Sequence, residues 1–226
     1  MNLYSLFESI SGEAGGIPQG AWTTFVRFSG CNLACHWCDI PEAQTNLFGT
    51  EMHIPQIVRQ CKTKNVVITG GEPLLQKSIG MFANVLINNN HIVQIETNGS
   101  LPLPQKIDPG VHWVIDQKTP SSCESSKMLP MDELFNGAEH YIKNPVYMKF
   151  VISGKEDIDY LIKRSAEIVE QLRYSNINLK ICISPVDAVK TATPLYEMVD
   201  HLKKKNPQML GNIILSLQLH KIIGMD

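Results

Sequence analysis

The sequence lacks any long hydrophobic run. No stretch of its 226 residues approaches the roughly 18 apolar residues that a membrane-spanning helix needs. The opening segment, MNLYSLFESISGE, has neither the basic start nor the apolar core of a secretory leader. We therefore expect a cytoplasmic protein with no membrane partner.

An excess of positive charge is also absent. Lysine and arginine total 20 against 22 aspartates and glutamates, so the formal net charge is -2. Nucleic-acid-binding proteins neutralise phosphates with clustered basic residues, and this balance therefore predicts no nucleic-acid partner. With 43% hydrophobic and 19% charged residues, the chain has the composition of a globular domain, and small molecules are its expected partners.

Cysteine is scarce outside one short segment, GCNLACHWCD. The clustered cysteines are Cys31, Cys35 and Cys38, and the isolated ones are Cys61, Cys123 and Cys182. Isolated cysteines of a reducing compartment are usually small buried hydrophobes. Three thiols in ten residues instead indicate metal or redox chemistry.

Short β-rich runs alternate with stretches of helical spacing. The runs are TTFVRF (23–28), NVVITG (65–70), IVQIET (92–97), WVID (113–116), YMKFVIS (147–153), LKICIS (179–184) and NIILSL (212–217). Such apolar strands are typical of a buried parallel sheet, and their alternation with helices indicates βα units. Because seven strands are too few for a closed eight-unit barrel, we predict an α/β fold with an open, partial barrel. We expect one domain, 1–226, with a candidate loop-rich insertion at 118–137.

Polar motifs follow most of the predicted strands. In chain order they are SGCNLACHWCD, TGGEP, ETNG, DQKTP, SP and QLHK. In parallel βα architectures the carboxyl ends of the strands meet at one face, where ligands bind. We therefore expect these loops to form one site.

The cysteine spacing C-x3-C-x2-C suits an iron-sulfur cube. Three thiolates can ligate three irons and leave the fourth open to an exchangeable ligand, whereas a cluster held only by protein usually takes four cysteines. The alternatives are a zinc site that uses His36 as fourth ligand and a disulfide.

The motif C31-x3-C35-x2-C38, with Trp37 before the last cysteine, resembles the signature of the radical SAM superfamily. TGGEP at 69–73 is similar to the SAM-methionine motif of that superfamily, and ETNG to its ribose-contacting segment. The resemblance implies a 4Fe-4S cluster and S-adenosyl-L-methionine (SAM) as cofactors. The implied SAM-binding residues are Gly70, Gly71, Glu72, Glu96, Asn98 and Lys118.

Within that superfamily the chain resembles the 7-carboxy-7-deazaguanine synthase family of queuosine biosynthesis, from LFESISGE near the start to LQLHK near the end. The resemblance implies a carbon-nitrogen lyase that contracts the ring of 6-carboxy-5,6,7,8-tetrahydropterin and releases ammonia. It also implies magnesium, an electron donor such as flavodoxin or ferredoxin, and a homodimer. Cofactor and substrate placement would be the protein's contribution, with no further catalytic residue.

The candidate substrate-binding residues are Ser11, Gly12, Glu13, Arg27 and His220. Arg27 interrupts the apolar run FVRF, and a buried arginine needs an anionic partner, which the substrate carboxylate supplies. Glu13 offers acceptor oxygens to the donor edge of a 2-amino-4-oxo-pyrimidine ring. The alternative is a structural salt bridge between Arg27 and Glu13.

Two residues depart from the family pattern. Ser11 stands where glutamine is usual, so one substrate hydrogen bond is shortened, water-bridged or lost. Ile40 stands where a serine or threonine hydroxyl binds magnesium, and isoleucine has no oxygen. Either substrate oxygens and waters keep a weakly bound magnesium ion, or the site works without a divalent ion.

Two other interpretations remain open at the level of sequence. Another radical SAM enzyme, such as a glycyl-radical activase or a peptide-modifying enzyme, would share the cluster and SAM residues but not the substrate roles of Arg27 and Glu13. A zinc-binding module without catalytic activity would bind zinc in place of iron and sulfide.

Overall fold

One mixed sheet of nine strands organises the computed structural model, which describes residues 1–186, 192–207, 211 and 213–225. The strands are β1 (Asn2–Ile10), β2 (Trp22–Phe28), β3 (Thr50–Glu51), β4 (Asn65–Gly70), β5 (Ile92–Thr97), β6 (His112–Asp116), β7 (Val146–Ile152), β8 (Leu179–Pro185) and β9 (Ile213–Leu215). Their order across the sheet is β3-β1-β2-β4-β5-β6-β7-β8-β9.

The strands from β2 through β4 to β9 pair in parallel, each with the next. At one end of the sheet, β1 pairs antiparallel with both β2 and β3. Within the described part of the chain β3 and β9 do not pair, so the sheet is open. The predicted open α/β barrel is therefore confirmed.

The seven predicted strands correspond to β2 and β4–β9. Residue 212, the first of the predicted last strand, lies outside the described residues. Strand β1 was not predicted, because NLYSLFESI has neither a continuous apolar run nor a strict alternation of polar and apolar residues. Strand β3 has only two residues, which is too short for a pattern.

The helices are α1 (Ile54–Val58), α2 (Ile79–Asn88), α3 (Met131–Phe135), α4 (Lys155–Gln171), α5 (Ala192–Lys205) and α6 (Leu219–Ile222). Helix α4 buries one apolar face, including Ile158, Leu161 and Ile168. Glu156 and Asp157 occupy its first turn, where negative charge is favourable because the helix dipole is positive there. None of the described helices has the length and hydrophobicity to span a membrane.

The predicted insertion, 118–137, contains two short 3-10 turns and helix α3. The first turn covers Pro120–Ser122, the second Ser125–Lys127. Met131, Leu134 and Phe135 of α3 are buried in the main hydrophobic core. The segment therefore packs as part of the protein interior over its second half.

Loop contacts connect the two ends of the open sheet. After β1, the backbone N–H of Ala14 donates to the Ser216 hydroxyl at 2.8 Å, and Gly12 O accepts from Leu219 N at 2.9 Å. The Gln19 side-chain amide donates to Leu217 O at 2.7 Å. The loop that follows β1 and the segment that follows β9 thus close the side of the barrel without strand pairing.

Helix α2 provides a test of the core. Leu86 is 0% exposed, whereas Met81 on the same helix is 58% exposed. We expect Leu86→Ala to lower the free energy of unfolding by about 2–5 kcal/mol, because it leaves a cavity in a packed core. Met81→Ala should change it by less than about 1 kcal/mol. Urea denaturation of both variants measures this, and equal losses would contradict the assigned packing.

Candidate active site

A cavity of about 800 Å³ lies at the carboxyl ends of the parallel strands. Every predicted site residue except Glu72 lines it: Ser11, Gly12, Glu13, Arg27, Cys31, Cys35, Cys38, Gly70, Gly71, Glu96, Asn98, Lys118 and His220. Its volume suits one or two small molecules. The fold therefore brings together residues that are up to about two hundred positions apart in the sequence.

The cysteine loop begins directly after β2. Gly30 has a φ of 96°, a left-handed conformation that favours glycine, and its N–H donates to Ala43 O at 2.8 Å. The N–H of Cys31 donates to Gln44 O at 2.9 Å, so the two ends of the loop are held together. All six cysteines of the chain are free thiols, which leaves the disulfide alternative without support.

The segment after β6 supports the cysteine loop from outside. The Glu124 carboxylate accepts from the Ala34 N–H at 3.0 Å, and Ser122 O accepts from the His36 N–H at 3.0 Å. The Trp37 indole N–H donates to the Ser121 hydroxyl at 3.1 Å. The first half of the predicted insertion thus fixes the backbone that carries the thiols.

Burial disfavours the thiolate forms of Cys31 and Cys35. Burial raises the pKa of Cys35 to about 11, against the opposing attraction of Lys118, and burial also raises the pKa of Cys31. Without metal, both thiols are protonated near neutral pH, and a bound iron would displace those protons. Leu33 N–H and the Asn98 amide lie 3.4 and 3.7 Å from the Cys31 sulfur, where they favour a thiolate.

Zinc fits this loop less well. His36 does not line the cavity, so it is not placed to be a fourth ligand. The described residues contain no group of three or more His, Cys, Asp or Glu arranged around one metal ion. Ligands of a single zinc ion share one centre, whereas the cysteines of a cube each bind a different iron. His36 is therefore not supported as a fourth ligand of a zinc ion.

Gly70 and Gly71 are required by close backbone packing. A Cβ atom on Gly70 would collide with Phe28 O, and one on Gly71 with Gly30 O. The N–H of Gly71 donates to Phe28 O at 2.9 Å. The glycines therefore hold the β4 loop against the start of the cysteine loop, in addition to lining the cavity.

Glu72 is the predicted site residue that does not line the cavity, and its side chain is 0% exposed. Its carboxylate accepts from the Leu74 N–H at 2.8 Å, from the Thr97 hydroxyl at 2.8 Å and from the Asn98 N–H at 2.7 Å. Burial raises its pKa to about 7. The Glu72 carboxylate therefore joins the β4 and β5 loops through these hydrogen bonds.

A row of buried charges crosses the cavity, which we call the charge row: Glu13, Lys149, Asp116 and Lys118. Lys149 Nζ lies 2.7 Å from a Glu13 oxygen and 3.2 Å from Asp116 Oδ1, and Lys118 Nζ lies 2.6 Å from Asp116 Oδ2. The Lys118 ammonium also faces the Trp37 ring at 5.4 Å. Sequence analysis identified Glu13 and Lys118 but missed Lys149 and Asp116.

Glu96 lies beside the charge row. Burial raises its pKa to about 7, against the attraction of Lys149, and the Gln94 amide donates to its Oε1 at 2.9 Å. Near neutral pH a substantial fraction of this side chain is therefore protonated, so it can donate as well as accept a hydrogen bond.

Arg27 has no carboxylate partner among the described residues, and the alternative of an Arg27–Glu13 salt bridge is wrong. Its guanidinium lies over the Phe7 ring at 5.1 Å, and Phe7 stacks on Phe25 with centroids 5.3 Å apart. Burial lowers the pKa of Arg27, against the attraction of Asp39 and Glu96, neither of which forms an ion pair with it. An arginine that lines a cavity without a paired anion indicates a site for an anionic ligand.

Three buried polar atoms beside the cavity lack hydrogen-bond partners among the described residues: the hydroxyls of Ser5 and Ser9 and the Oε1 atom of Gln218. Ser5 is opposite Arg27 in the β1–β2 register. Strand β1, which the sequence pattern concealed, therefore contributes one wall of the site.

The segment after β9 covers the Glu13 side of the cavity. The His220 ring packs directly on Gly12, where any Cβ atom would collide with it. Burial lowers the pKa of His220, so it is neutral near pH 7. The Gln218 amide donates to Glu13 Oε1 at 3.0 Å. Gly12 therefore leaves room for the His220 ring, while Glu13 faces the cavity.

The surroundings of Ile40 do not fit a magnesium ion held by the protein. Ile40 and Asp39 line the cavity, but isoleucine offers no oxygen, and Asp39 Oδ2 lies 3.4 Å from the Lys221 ammonium. Thr45, the next hydroxyl along the chain, does not line the cavity. Magnesium prefers near-octahedral oxygen ligands, and this corner supplies one paired carboxylate.

Sequence comparison finds relatives that span nearly the whole chain. The Radical SAM superfamily model matches residues 25–109. The 7-carboxy-7-deazaguanine synthase of Clostridium acetobutylicum is 33% identical over 225 residues, which cover 96% of this chain and 93% of that protein. The enzyme of the same name from Methanospirillum hungatei is 32% identical, and the alignment covers 100% of this chain and 86% of that protein.

Solved structures share the fold. QueE from Escherichia coli superposes with a TM-score of 0.66 at 21% identity, covering 97% of this chain and 94% of that one. SuiB from Streptococcus suis, bound to S-adenosylmethionine, has a TM-score of 0.52 at 15% identity, and the match covers 85% of this chain and 48% of the SuiB chain. The open barrel is thus the architecture of this group.

The thiols give a direct prediction. Replacing Cys31, Cys35 or Cys38 by alanine should each abolish the cluster, because an open-site cube has no spare ligand. Alanine at Cys61, Cys123 or Cys182 should leave it intact, as these thiols do not line the cavity. Bound iron and acid-labile sulfide after anaerobic reconstitution measure both sets. An isolated cysteine as essential as the clustered three would contradict the assignment.

Proposed function

Because the chain belongs to the 7-carboxy-7-deazaguanine synthase family of radical SAM enzymes, we propose that its cavity converts 6-carboxy-5,6,7,8-tetrahydropterin into 7-carboxy-7-deazaguanine with loss of ammonia. The observation that carries this proposal is Arg27, an arginine that lines the cavity without an anionic partner among the described residues. A carboxylate on the substrate satisfies that guanidinium through two parallel hydrogen bonds.

Glu13 and His220 provide the second half of substrate recognition in this proposal. Each Glu13 oxygen already accepts one hydrogen bond, from Lys149 or from Gln218, and keeps a further acceptor position. Those positions complement the N–H groups of the 2-amino-4-oxo edge of the pterin. The neutral His220 ring, next to Gly12, contacts the same molecule. Ser11 provides a shorter polar side chain on this wall.

The cysteine side of the cavity is the proposed cofactor end. Cys31, Cys35 and Cys38 would hold a 4Fe-4S cluster that leaves one iron to SAM, and these cofactors, once bound, would supply the radical chemistry. Lys118 pairs with the SAM carboxylate, and Asp116 holds the Lys118 ammonium in position. Glu96 bonds a ribose hydroxyl, and Gly70, Gly71 and Asn98 border the cofactor. Glu72 acts indirectly, through the Asn98 backbone.

Enclosure of the reacting molecules is the other contribution of the chain. A carbon radical must be kept from solvent and from other hydrogen donors until the substrate has rearranged. The stacked rings of Phe7 and Phe25 form an apolar wall beside Arg27, and the segment 216–221 closes the opposite side. The proposed contribution of the protein is therefore placement and shielding.

Partners and compartment complete the proposal. We expect a flavodoxin or ferredoxin to deliver electrons to the cluster, and two copies of the chain to form a homodimer. The exposed side chains of Leu47 (84%) and Phe48 (60%), just beyond the cysteine loop, support a protein contact there. Six free thiols support a reducing cytoplasm. One core cluster that extends from Leu3 to Leu202 supports a single domain.

Product analysis tests the function. Reconstituted protein is incubated anaerobically with SAM, a reductant and 6-carboxytetrahydropterin, and the products are identified by mass spectrometry. We expect 7-carboxy-7-deazaguanine and ammonia in equal amounts. Cleavage of SAM without any change in the pterin would instead indicate a radical SAM enzyme that acts on another substrate.

Arg27→Lys should impair product formation although it keeps the positive charge, because lysine lacks the planar fork of donors. Losing one hydrogen bond to a charged group costs about 1.5–3 kcal/mol, or roughly one to two decades in kcat/KM. Arg59→Lys, at an exposed position, is the matched control. SAM binding should persist in both variants. Normal turnover by Arg27→Lys would remove the basis for a carboxylate substrate.

Ile40 gives a prediction about magnesium. If substrate oxygens and waters hold a weakly bound ion, activity should need more magnesium than in relatives with serine or threonine at this position. Ile40→Thr should then lower the half-saturating concentration, whereas Ile40→Val, which adds no oxygen, should not. Magnesium titration of product formation decides this. Tight saturation in the native protein, unchanged in Ile40→Thr, would show that Ile40 does not occupy the ligand position.

A further inference from the structure

Lys149 is a buried cation for which sequence analysis gave no role. It lies in the middle of β7, is 8% exposed, and lines the cavity with its side chain. Its ammonium contacts Glu13 at 2.7 Å and Asp116 at 3.2 Å. Asp116 is its neighbour in the β6–β7 register, whereas Glu13 comes from the loop after β1, on the far side of the open barrel.

The surroundings keep Lys149 charged. Burial alone lowers the pKa of a lysine, but here Asp116, Glu13 and Glu96 together outweigh it and raise the pKa of Lys149 well above its usual value. Lys118 is the other cation of this group, and it pairs with Asp116. The ammonium of Lys149 is therefore the direct counter-charge of Glu13.

The contacts of Lys149 and Gln218 fix the Glu13 carboxylate at both oxygens. Lys149 holds Oε2 at 2.7 Å, and the Gln218 amide holds Oε1 at 3.0 Å. A carboxylate with one oxygen free can rotate about its terminal bond, which has a broad torsional preference. With both oxygens held, its remaining acceptor positions keep one direction relative to the cavity.

We propose that Lys149 is a positioning residue for substrate recognition, which orients the Glu13 carboxylate toward the donor edge of the aminopyrimidinone ring. This inference rests on the proposed function, because it assigns Glu13 to that edge. Lys149 thereby sets the affinity for the pterin while SAM, bound at the Lys118 end, depends on it little. Because the Lys149 ammonium orders the Glu13 carboxylate before the substrate binds, binding does not incur the entropy cost of ordering it.

Lys149→Met removes the ammonium and keeps a side chain of similar length. We measure the Kd of 6-carboxytetrahydropterin by calorimetry on reconstituted, SAM-loaded protein without reductant, so that no turnover occurs. The Kd should rise about 10- to 100-fold, as for loss of a charged hydrogen bond. Lys149→Arg should recover most of the affinity. Lys180→Met, on the neighbouring strand β8 and outside the cavity, is the matched control and should bind normally.

A double-mutant cycle with Glu13→Gln separates positioning from general stability. If Lys149 acts through Glu13, then Glu13→Gln should raise the Kd much less in the Lys149→Met background than in the native protein. Additive effects, or loss of cluster content and SAM affinity in Lys149→Met together with pterin affinity, would overturn the proposal. If Lys149→Met fails to fold, Lys149→Gln takes its place in the same cycle, and the same comparison of pterin Kd values applies.

The two proposals fail in distinguishable ways. If the native protein binds no carboxypterin and forms no deazaguanine product, the proposed function is wrong. If the native protein forms the product and Lys149→Met binds the pterin with native affinity, the function stands and the role of Lys149 is wrong.

Discussion

The charge row that crosses the cavity is the interaction on which the substrate end of the site depends. Glu13 and Asp116 lie on either side of the Lys149 ammonium, and Asp116 also holds Lys118. Unpaired buried charges would be costly, so Glu13 depends on Lys149, and Lys118 depends on Asp116. The row ties the loop after β1 to strands β6 and β7, which are distant in the sheet order. Arg27 is left outside it, available to an anion.

The cofactor end depends on backbone packing more than on charge. The loop after β4 approaches the cysteine loop so closely that Gly70 and Gly71 have no room for a Cβ atom. Glu72 then joins this loop to the loop after β5, and Glu124 supports the cysteine loop from the segment after β6. The loops after four strands, β2, β4, β5 and β6, are thus held together, which preorganises the three thiols. The substrate end is built differently, from side chains of β1 and of the C-terminal segment.

The parallel strands were predictable because each is a continuous apolar run, and their motifs were predictable because loops at the carboxyl ends of such strands converge. Strand β1 was missed because polar residues interrupt its apolar residues without a strict alternation; two of them, Ser5 and Ser9, border the cavity. Lys149 escaped because it lies within a strand and not in a polar loop. Glu72 was assigned to the cofactor from its motif, and only its contacts reveal that it is internal.

The central claim is that the cavity separates a carboxylate site at Arg27 from a donor-edge site at Glu13. A crystal structure of the reconstituted protein with SAM and 6-carboxytetrahydropterin, grown without reductant, tests it most directly. The account predicts the substrate carboxylate on the Arg27 guanidinium and the 2-amino-4-oxo edge on Glu13, with Lys149 still at Glu13. A pterin bound in the reverse orientation, or a carboxylate held by Lys118 with Arg27 unoccupied, would contradict it.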